Sequence, residues 1–564
     1  MFSLLRFNSR GGDTVKLKKL YEGKKTNLFC IISLYTIIIS QFCLVQLATL
    51  KYAFAQTSSP ASDSFSIFPK PQIEDNPIQE LSDAYTTVSE DPSIKFLLSI
   101  DNGAHALSIT QRVTDEDSQI KTTKFQHYFR GIEVVGSMSF HHKGKKEVEI
   151  RNIIHKFELN TEPSLNAETA MNLARGIVGD RSARQRPELK ILPRPGANSA
   201  KLVYWIDLME NASDGGHDII IDAHTGLVLA DISHILTINP IRHTRVSQID
   251  IHSAKDQAVE IDPSTVTKEE IEQLRNKCQV LDQKSGAPLL VNHTSCNKVF
   301  SRNRYIREAD SSTRQATSNS KRVIDYFRTK HNRNSYDGNG STLVSIVHIG
   351  RKFSNAFWST DKNIMAYGDG DGEIFGDFTN AMDVAGHEMT HGVTSQTAKL
   401  LYMSESGALN EAYSDFFGKM IADDNNWIVG RNVFLKQTPR KGIRDLANPG
   451  SIRTKIPDSD GNLISTPYPA AMREKLPEDD MCNRSNDNCW VHVNSTIPSH
   501  ASYLVHEAIG RPRTEKLYYV VLTQYLNANA DFKTAASATM SACKNLFDSD
   551  TCTKVSKAFY EVGL

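Results

Sequence analysis

The stretch Asp383-Val-Ala-Gly-His387-Glu388-Met-Thr-His391 restricts the fold of this chain more than any other. Asn380 and Asp383 stand at the offset of a helix N-terminus, Ala381, Met382, Val384 and Ala385 are apolar helix formers, and no proline intervenes before Gly392. The pattern predicts a helix. On it His387 and His391 lie one turn apart on one face, the separation two imidazoles need to grip a zinc ion. Glu388 then sits beside the metal rather than on it.

A catalytic zinc takes three protein ligands and leaves a position for water, so a third ligand is required. Downstream, Glu405-Ser-Gly407-Ala-Leu-Asn410-Glu411-Ala-Tyr-Ser-Asp415-Phe-Phe-Gly418 reads as a second helix with Glu411 and Asp415 one turn apart. Glu411 is the candidate ligand, and Asp415 can accept the spare ring N–H of a ligating histidine. The competing reading, two solvated helix faces with unrelated charges, is opposed by the apolar residues that flank both motifs.

The rest of the chain supplies the context for this pair of helices. With 564 residues and a formal net charge of zero, it is too long for one ordinary domain and has no electrostatic bias toward nucleic acid. Lys16 to Lys25 are basic, Leu28 to Leu50 form an apolar run, and Ala53-Phe54-Ala55 offers the small residues of a cleavage site. Residues 1–55 thus read as a secretory signal and the protein as secreted, without stable membrane association once the signal is cut. An uncleaved anchor is the alternative, since the run is long enough to span a bilayer. A Ser- and Pro-rich stretch over 56–80 leads to alternating strands at Phe125 to Phe140, a helix near Ala167 to Val178, and further strands at Val203 to Asp207 and His217 to Leu229. Of the eight cysteines, Cys30 and Cys43 lie in the signal. The others fall as near neighbours, Cys278 with Cys296, Cys482 with Cys489 and Cys543 with Cys552, which in an exported chain favours disulfides, although spacing does not fix the connectivity. Helical patterns are expected near Lys268 to Lys277, over Ser318 to Arg328, and from Leu409 onward, with strands and loops over 342–378.

Several motifs in sequence order carry a resemblance: His331-Asn-Arg-Asn-Ser-Tyr336-Asp-Gly, Asn355-Ala356-Phe-Trp358, Tyr367-Gly-Asp-Gly-Asp-Gly372, the His387 motif, Gly407 to Asp415, and Asp487-Asn-Cys-Trp-Val-His492-Val-Asn494. Together they resemble the thermolysin family of zinc metallopeptidases, from about Val323 to Leu564. The resemblance implies an α+β chain with a two-lobed catalytic domain, a strand-rich lobe over 239–396 that includes the zinc helix and a helical lobe over 397–564. Ahead of it, 56–238 resembles the family's propeptide of two small α+β subdomains, an intramolecular inhibitor or folding chaperone, although Glu133 stands where that family often has proline.

The implied activity is a zinc endopeptidase that acts on proteins and peptides, with His387, His391 and Glu411 on one zinc ion and Glu388 as general base. Tyr402 and His492 match the pair that steadies the oxyanion, and Asp487 the acid that orients His492. Asn355 and Ala356 match the edge that binds substrate backbone, and Arg444 the arginine on a substrate carbonyl. Phe375, Phe378, Val384 and Ile443 would line the neighbouring pocket, which implies cleavage before a bulky apolar residue. The same fold could alternatively serve a zinc-bound but catalytically silent binding protein, for which the full set Glu388, Tyr402 and His492 would be superfluous. One family feature is eroded. The acidic cluster that binds a calcium pair is here the shorter Ala422-Asp-Asp-Asn-Asn-Trp427-Ile-Val-Gly-Arg431-Asn432, leaving Asp383 with Asp423 or Asp424, and Lys441 replaces an acid of another calcium site. A hard cation wants six to eight oxygens, so full calcium binding is not expected.

Overall fold

The computed structural model describes residues 77–99, 104–115, 118–144, 148–155, 157–194, 199–209, 215–238, 277–282, 287–292, 295–300, 311–349, 352–457, 463–479 and 481–564. The signal, the boundary near Asn239 and all but the last residue of the expected helical piece ending at Lys277 lie outside them; Lys277 itself opens a strand.

Two sheets organise the chain. The first takes β1 (His105–Asp115), β2 (Ile120–Phe129), β3 (Ile132–Lys143), β4 (Val148–Ile153), β5 (Glu188–Pro193), β6 (Ala200–Leu208), β7 (His217–Asp222) and β8 (Val228–Ser233). Their order is β1-β2-β3-β5-β6-β7-β8, with β4 also on β3, and the neighbours are antiparallel except for the single parallel bridge Val134↔Ile191 between β3 and β5. That weak seam separates two cores. On one side helices α1 (Pro77–Glu90) and α2 (Pro92–Ser99) bury Ala84, Val88 and Ile94 against Leu107 and Phe125. On the other, α3 (Ala167–Val178), capped by the Asn166 side chain on the Thr169 N–H, buries Ala170 and Ala174 against Ile191, Leu202, Ile206 and Ile219.

The second sheet contains β9 (Ile235–Thr237), β10 (Lys277–Asp282), β11 (Ala287–Asn292), β12 (Ser295–Phe300), β13 (Val344–Val347), β14 (Ala356–Ser359) and β15 (Ile364–Tyr367), in the order β12-β11-β10-β13-β15-β14-β9. Its last strand is the chain's continuation from β8, only a residue after the first sheet ends. One face of this sheet and helix α4 (Ser311–His331) pack on the helical half, α5 (Met382–Gln396), α6 (Ser404–Ala422), α7 (Asp487–Asn494), α8 (Thr496–Ile509), α9 (Arg511–Val520), α10 (Phe532–Leu546) and α11 (Ser549–Glu561). Trp358, Met365 and Tyr367 of the sheet share one core with Val384, Met389 and Val393 of α5 and Phe416 and Phe417 of α6. Each such fully buried side chain is worth about 1.5–3 kcal/mol.

The first sheet docks on the helical half through polar contacts as well as apolar ones. Thr122 Oγ1 donates to Gln524 Oε1 (2.6 Å), Lys124 Nζ reaches the carbonyls of Thr523 (3.0 Å) and Thr397 (3.4 Å), and His142 stacks on Tyr525 with ring centroids 3.8 Å apart. Gln524 and Tyr525 belong to a π-helical turn, Val521–Tyr525, that extends α9 and turns the Thr523 carbonyl toward the lysine. Gly136, at φ +68°, lies so close to Asn529 that a Cβ there would fall 1.6 Å from its Oδ1. A side chain at that position would displace Asn529, whose Nδ2 donates to the Val135 carbonyl across the contact (3.1 Å).

Two short disulfides, Cys482–Cys489 and Cys543–Cys552, join the expected neighbours. The side chains of Cys278 and Cys296 lie outside the described residues.

Candidate active site

Helices α5 and α6 carry the two motifs and cross at a pair of glycines. A Cβ on Gly386 would lie 3.0 Å from the Gly418 Cα, and one on Gly418 would lie 2.5 Å from the Asp383 carbonyl oxygen. Only glycine at both places lets the helix axes approach closely enough for side chains from each to meet around one point. The start of α5 differs from the sequence expectation. Asn380 closes a 3-10 turn, Phe378–Asn380, capped by Asp377, and α5 begins at Met382 without a side-chain cap. Asp383 instead turns inward, where its carboxylate accepts the N–H of Val384 (3.0 Å) and Gly430 (2.9 Å).

At the meeting point the Nε2 atoms of His387 and His391 are 3.0 Å apart, and Glu411 Oε2 and Oε1 lie 3.4 and 3.3 Å from them respectively. All three residues are buried. The other ring nitrogens are committed: His387 Nδ1 faces Asp415 Oδ1 at 2.9 Å, and His391 Nδ1 faces Asn410 Oδ1 at 2.9 Å. Both acceptors fix the proton on Nδ1, so both Nε2 lone pairs point at each other and at a carboxylate. Such an arrangement is repulsive unless a cation sits among the three. The separations match the edges of about 3.3 Å of a tetrahedral zinc sphere with bonds of roughly 2.0–2.1 Å. Burial opposes a charge on His387, but the Glu411 and Asp415 carboxylates outweigh it and lift its pKa to about 9. A positive charge is favoured at this point, and a divalent cation supplies it without the proton.

Glu388 is buried beside this group, with neither carboxylate oxygen hydrogen-bonded to the protein. Burial pushes its carboxyl up to about 8. A native structure rarely leaves a buried carboxylate bare, and this one fits a place where water is handled.

Beside Glu411 stand two donors. Tyr402 Oη donates to Glu411 Oε1 (2.5 Å) and lies 3.2 Å from His492 Nε2. His492 Nδ1 meets Asp487 Oδ1 at 2.5 Å, while Nε2 meets the Thr237 carbonyl at 2.5 Å. Both partners are acceptors, so both ring nitrogens donate and the ring is charged; although burial opposes this, the charges of Asp487 and Glu411 raise its pKa. Asp487 reaches the ring through a rare piece of backbone. From Asp487 to Trp490 four successive residues have φ of +56°, +49°, +65° and +66°, a left-handed turn. Asp487 Oδ2 also accepts the His492 N–H (2.9 Å), and the Cys482–Cys489 disulfide closes the loop.

Arg444 is fully buried, with Nε and Nη2 on Asp415 (2.6 and 2.7 Å) and Nη1 on the Ile238 carbonyl (2.8 Å). Ala356 offers its carbonyl to the Ile238 N–H (3.3 Å), and Asn355 Oδ1 accepts the Ala356 N–H (3.0 Å). Phe378, Val384 and Ile443 are buried in the same core cluster as Ile238, and Phe375 packs against it. Direct contacts thus join His387, His391, Glu411, Asp415, Tyr402, His492, Asp487 and Arg444, Ile238 links Arg444 to Ala356, and the four apolar residues belong to or pack on the same large core. The sequence reading missed Asn410, although it adjoins Glu411 and lies one helical turn ahead of Ser414, whose Oγ is also 3.2 Å from His391 Nδ1. It also missed Ile238, whose role depends on a contact with residues far along the chain.

Of the expected calcium ligands, Asp383 Oδ2 and Asp424 Oδ1 face the buried ammonium of Lys419 at 3.4 and 2.6 Å, and Ile428 adds its carbonyl at 3.1 Å. Asp423 pairs with Arg511. A tethered cation thus stands between the carboxylates that remain.

Residues 245–395 match the family description of the thermolysin metallopeptidase catalytic domain, and residues 398–564 that of its alpha-helical domain. The chain is similar to neutral protease NprE of Bacillus pumilus, 38% identical over 243 residues, which is 43% of this chain and 74% of that protein. A bacillolysin of Brevibacillus brevis is 28% identical over 487 residues, 81% of this chain and 84% of its own length. An extracellular elastase of Staphylococcus epidermidis is 37% identical over 249 residues, 43% of this chain and 45% of that protein. Among solved structures, the precursor of protealysin, a metalloproteinase from Serratia proteamaculans, is 31% identical with a TM-score of 0.43, covering 51% of this chain and 87% of that one.

Proposed function

This chain belongs to the thermolysin family of zinc metallopeptidases, and we propose that it is a secreted endopeptidase, made as a proenzyme, that cuts before bulky apolar residues. The observation that carries the reading is a stretch of peptide already in the cleft. Ile235–Thr237 runs antiparallel to β14, and its end presents a carbonyl to His492 beside the His387, His391 and Glu411 cluster. An extended substrate would lie the same way, its backbone read by Ala356 and Arg444 and its side chains by the apolar wall of Phe375, Phe378, Val384 and Ile443.

When bound by His387, His391 and Glu411, zinc supplies a Lewis acid that acidifies a water and polarises the peptide carbonyl. The protein's own groups do the rest. Glu388 accepts the proton of the attacking water and delivers it to the leaving nitrogen. His492, held charged by Asp487, and Tyr402 donate toward the carbonyl oxygen as its negative charge grows. Asp415 and Asn410 hold the two imidazoles in the tautomer that leaves Nε2 free.

Export is supported by the basic and apolar start of the sequence and by the two disulfides, and among the described residues no helix is long and apolar enough to cross a membrane. The region up to and including Thr237 is the proposed propeptide, an inhibitor whose last carbonyl sits on His492. Calcium is not required around Asp383, since Lys419 supplies the cation there.

Azocasein digestion with and without a zinc chelator, followed by zinc add-back and mass spectrometry of the peptides, tests the whole reading. Zinc-dependent release of peptides that begin with Leu, Ile or Phe is expected. A zinc-loaded, mature protein that leaves azocasein intact would be a binding protein instead, and cuts without apolar preference would remove the pocket assignment.

A further inference from the structure

The segment in the cleft is held in a register that singles out one bond. Thr237 pairs with Phe357, Leu236 with Trp358 and Ile235 with Ser359, and the pairing continues as the Ile238 N–H donates to the Ala356 carbonyl. Two successive carbonyls are then gripped by different donors. The Thr237 carbonyl takes His492 Nε2 at 2.5 Å, and the Ile238 carbonyl takes Arg444 Nη1 at 2.8 Å. His492 Nε2 is itself 3.6 Å from Glu411 Oε2 and 3.2 Å from Tyr402 Oη, so the Thr237 carbonyl is the one beside the metal-binding group and the oxyanion donors. Ile238 is fully buried in the cluster that contains Phe378, Val384 and Ile443.

We propose that the precursor cuts its own Thr237–Ile238 bond, within one chain, and that the mature enzyme begins at Ile238. This rests on the peptidase reading above. A water oxygen bonds to the Thr237 carbonyl carbon, its proton passes by way of Glu388 to the Ile238 nitrogen, and the C–N bond breaks. One water is consumed, its second proton following the first to the nitrogen, which leaves a carboxylate on Thr237 and an α-ammonium group on Ile238. Neighbouring bonds are excluded by the pleat. Moving the chain by one residue to bring the Ile238 or Leu236 carbonyl under His492 would turn alternate side chains to opposite faces and take Ile238 out of its apolar surroundings. The cut product keeps the Thr237 carboxylate within hydrogen-bond reach of His492 and Ile235–Thr237 paired with β14, so the severed segment stays as an inhibitor until it is removed.

The test uses the full chain, purified as precursor and loaded with zinc, with the two fragments weighed and their N-termini sequenced over time at protein concentrations spanning a hundredfold. Fragments ending at Thr237 and beginning at Ile238, formed at a rate independent of concentration, are expected, because the bond and the site share one chain. An enzyme that digests azocasein yet begins at another residue, or whose cutting slows on dilution, overturns the proposal while leaving the peptidase reading intact. A zinc-loaded chain that neither cuts itself nor digests azocasein overturns both. Ile238→Leu should be cut at the same bond. Ile238→Asp should be cut there at least about a hundredfold more slowly, since a charge must enter an apolar pocket. Equal rates for the two, in precursors with matching circular dichroism, would also overturn it.

Discussion

Two clusters among the described residues bring histidine and carboxylates within reach of one ion, and they do opposite things with the opportunity. One is His387, His391 and Glu411; the other is His234 with Asp207 and Asp218. In the first, both histidines spend a proton on outer acceptors, Asp415 and Asn410, and Arg444 lies closest to Asp415 while reaching Glu411 Oε2 only at 3.4 Å, so the two Nε2 lone pairs converge with no cation between them. In the second, His234 turns Nδ1 to Asp361 (2.6 Å) and Nε2 to Asp218 (3.4 Å), while Arg184 joins Asp207 (3.0 Å) to Asp361 (2.8 Å). Burial alone would lower the His234 pKa, but the bonds and charges of Asp218 and Asp361 raise it to about 10. The ring is charged and already supplies the cation. What separates a metal centre from an ion-pair clasp is therefore where the protons and arginines go, more than which residue types gather.

The sharpest way to break that contrast is to remove a carboxylate from each. Glu411→Ala should lose zinc on dialysis and with it all measurable peptidase activity, whereas Asp218→Asn should retain both, because its histidine was never a metal ligand. Metal analysis of the two dialysed proteins decides the matter, and full zinc occupancy in Glu411→Ala would take Glu411 out of the ligand set. Glu388→Gln is the next largest change. It should keep zinc and lose about two to four decades of turnover, the usual worth of a general base. Near-normal turnover of zinc-loaded Glu388→Gln would refute the proposed mechanism.

The two clusters were not equally legible in the sequence. His387, His391, Glu411 and Asp415 sit at one-turn spacings on two helices, so local periodicity brought them together before any tertiary information was needed. Tyr402, His492 and Arg444 came only from the family resemblance, because no spacing rule relates residues so far apart in the chain. His234 and Asp361 gave no signal at all: they are 127 positions apart, in strand-end and loop positions where polar residues are common. The expected cap at Asn380 failed for a local reason, since a 3-10 turn intervened and drew Asp383 toward Lys419. The strand-rich and helical lobes were readable from pattern. That Ile235–Thr237 would leave the first sheet and complete the second was not.

Between the metal centre and the rim lies a feature that tests how the first cluster is kept in shape. Asp487, Asn488, Cys489 and Trp490 share a left-handed turn. Cys489 and Trp490 have no special tolerance for it, and at about 1–2 kcal/mol each they store on the order of 2–4 kcal/mol. Closing a loop as short as Cys482–Cys489 stabilises by about 2–3 kcal/mol, a comparable amount. Replacing both cysteines by serine should therefore let the turn relax and carry Asp487 away from His492. We expect kcat to fall by about one to two decades with zinc retained and little change in KM, a loss in the oxyanion donors alone. Unchanged kcat in a folded double-serine enzyme would show that the turn holds without its staple.

The smallest expected effect belongs to the clasp, and it has a direction that the metal centre does not share. Because His234 has its pKa raised from 6.5 to about 10, the stability it contributes is fully present below pH 6.5 and is lost as pH rises through about 10. Asp361 behaves oppositely. Burial would raise its pKa, but the bond and charge of His234 and the charge of Arg184 lower it, so its contribution is present above pH 3.8 and fades as pH falls through the lowered value. The clasp is thus complete between about pH 4 and pH 6.5 and weakens toward alkaline pH. Since His234 and Asp361 lie on either side of the Thr237–Ile238 bond, this clasp ties the proposed propeptide to the strand-rich lobe. His234→Phe, placed in the uncuttable Glu388→Gln precursor, should lower stability by on the order of 1–2 kcal/mol at pH 6, less than a fully broken buried pair because Arg184 still holds Asp361. Thermal melts of the two precursors from pH 6 to 10 should converge as pH rises. A gap that stays constant over that range would mean that His234 contributes packing rather than charge, and that the second cluster owes its cation to Arg184 alone.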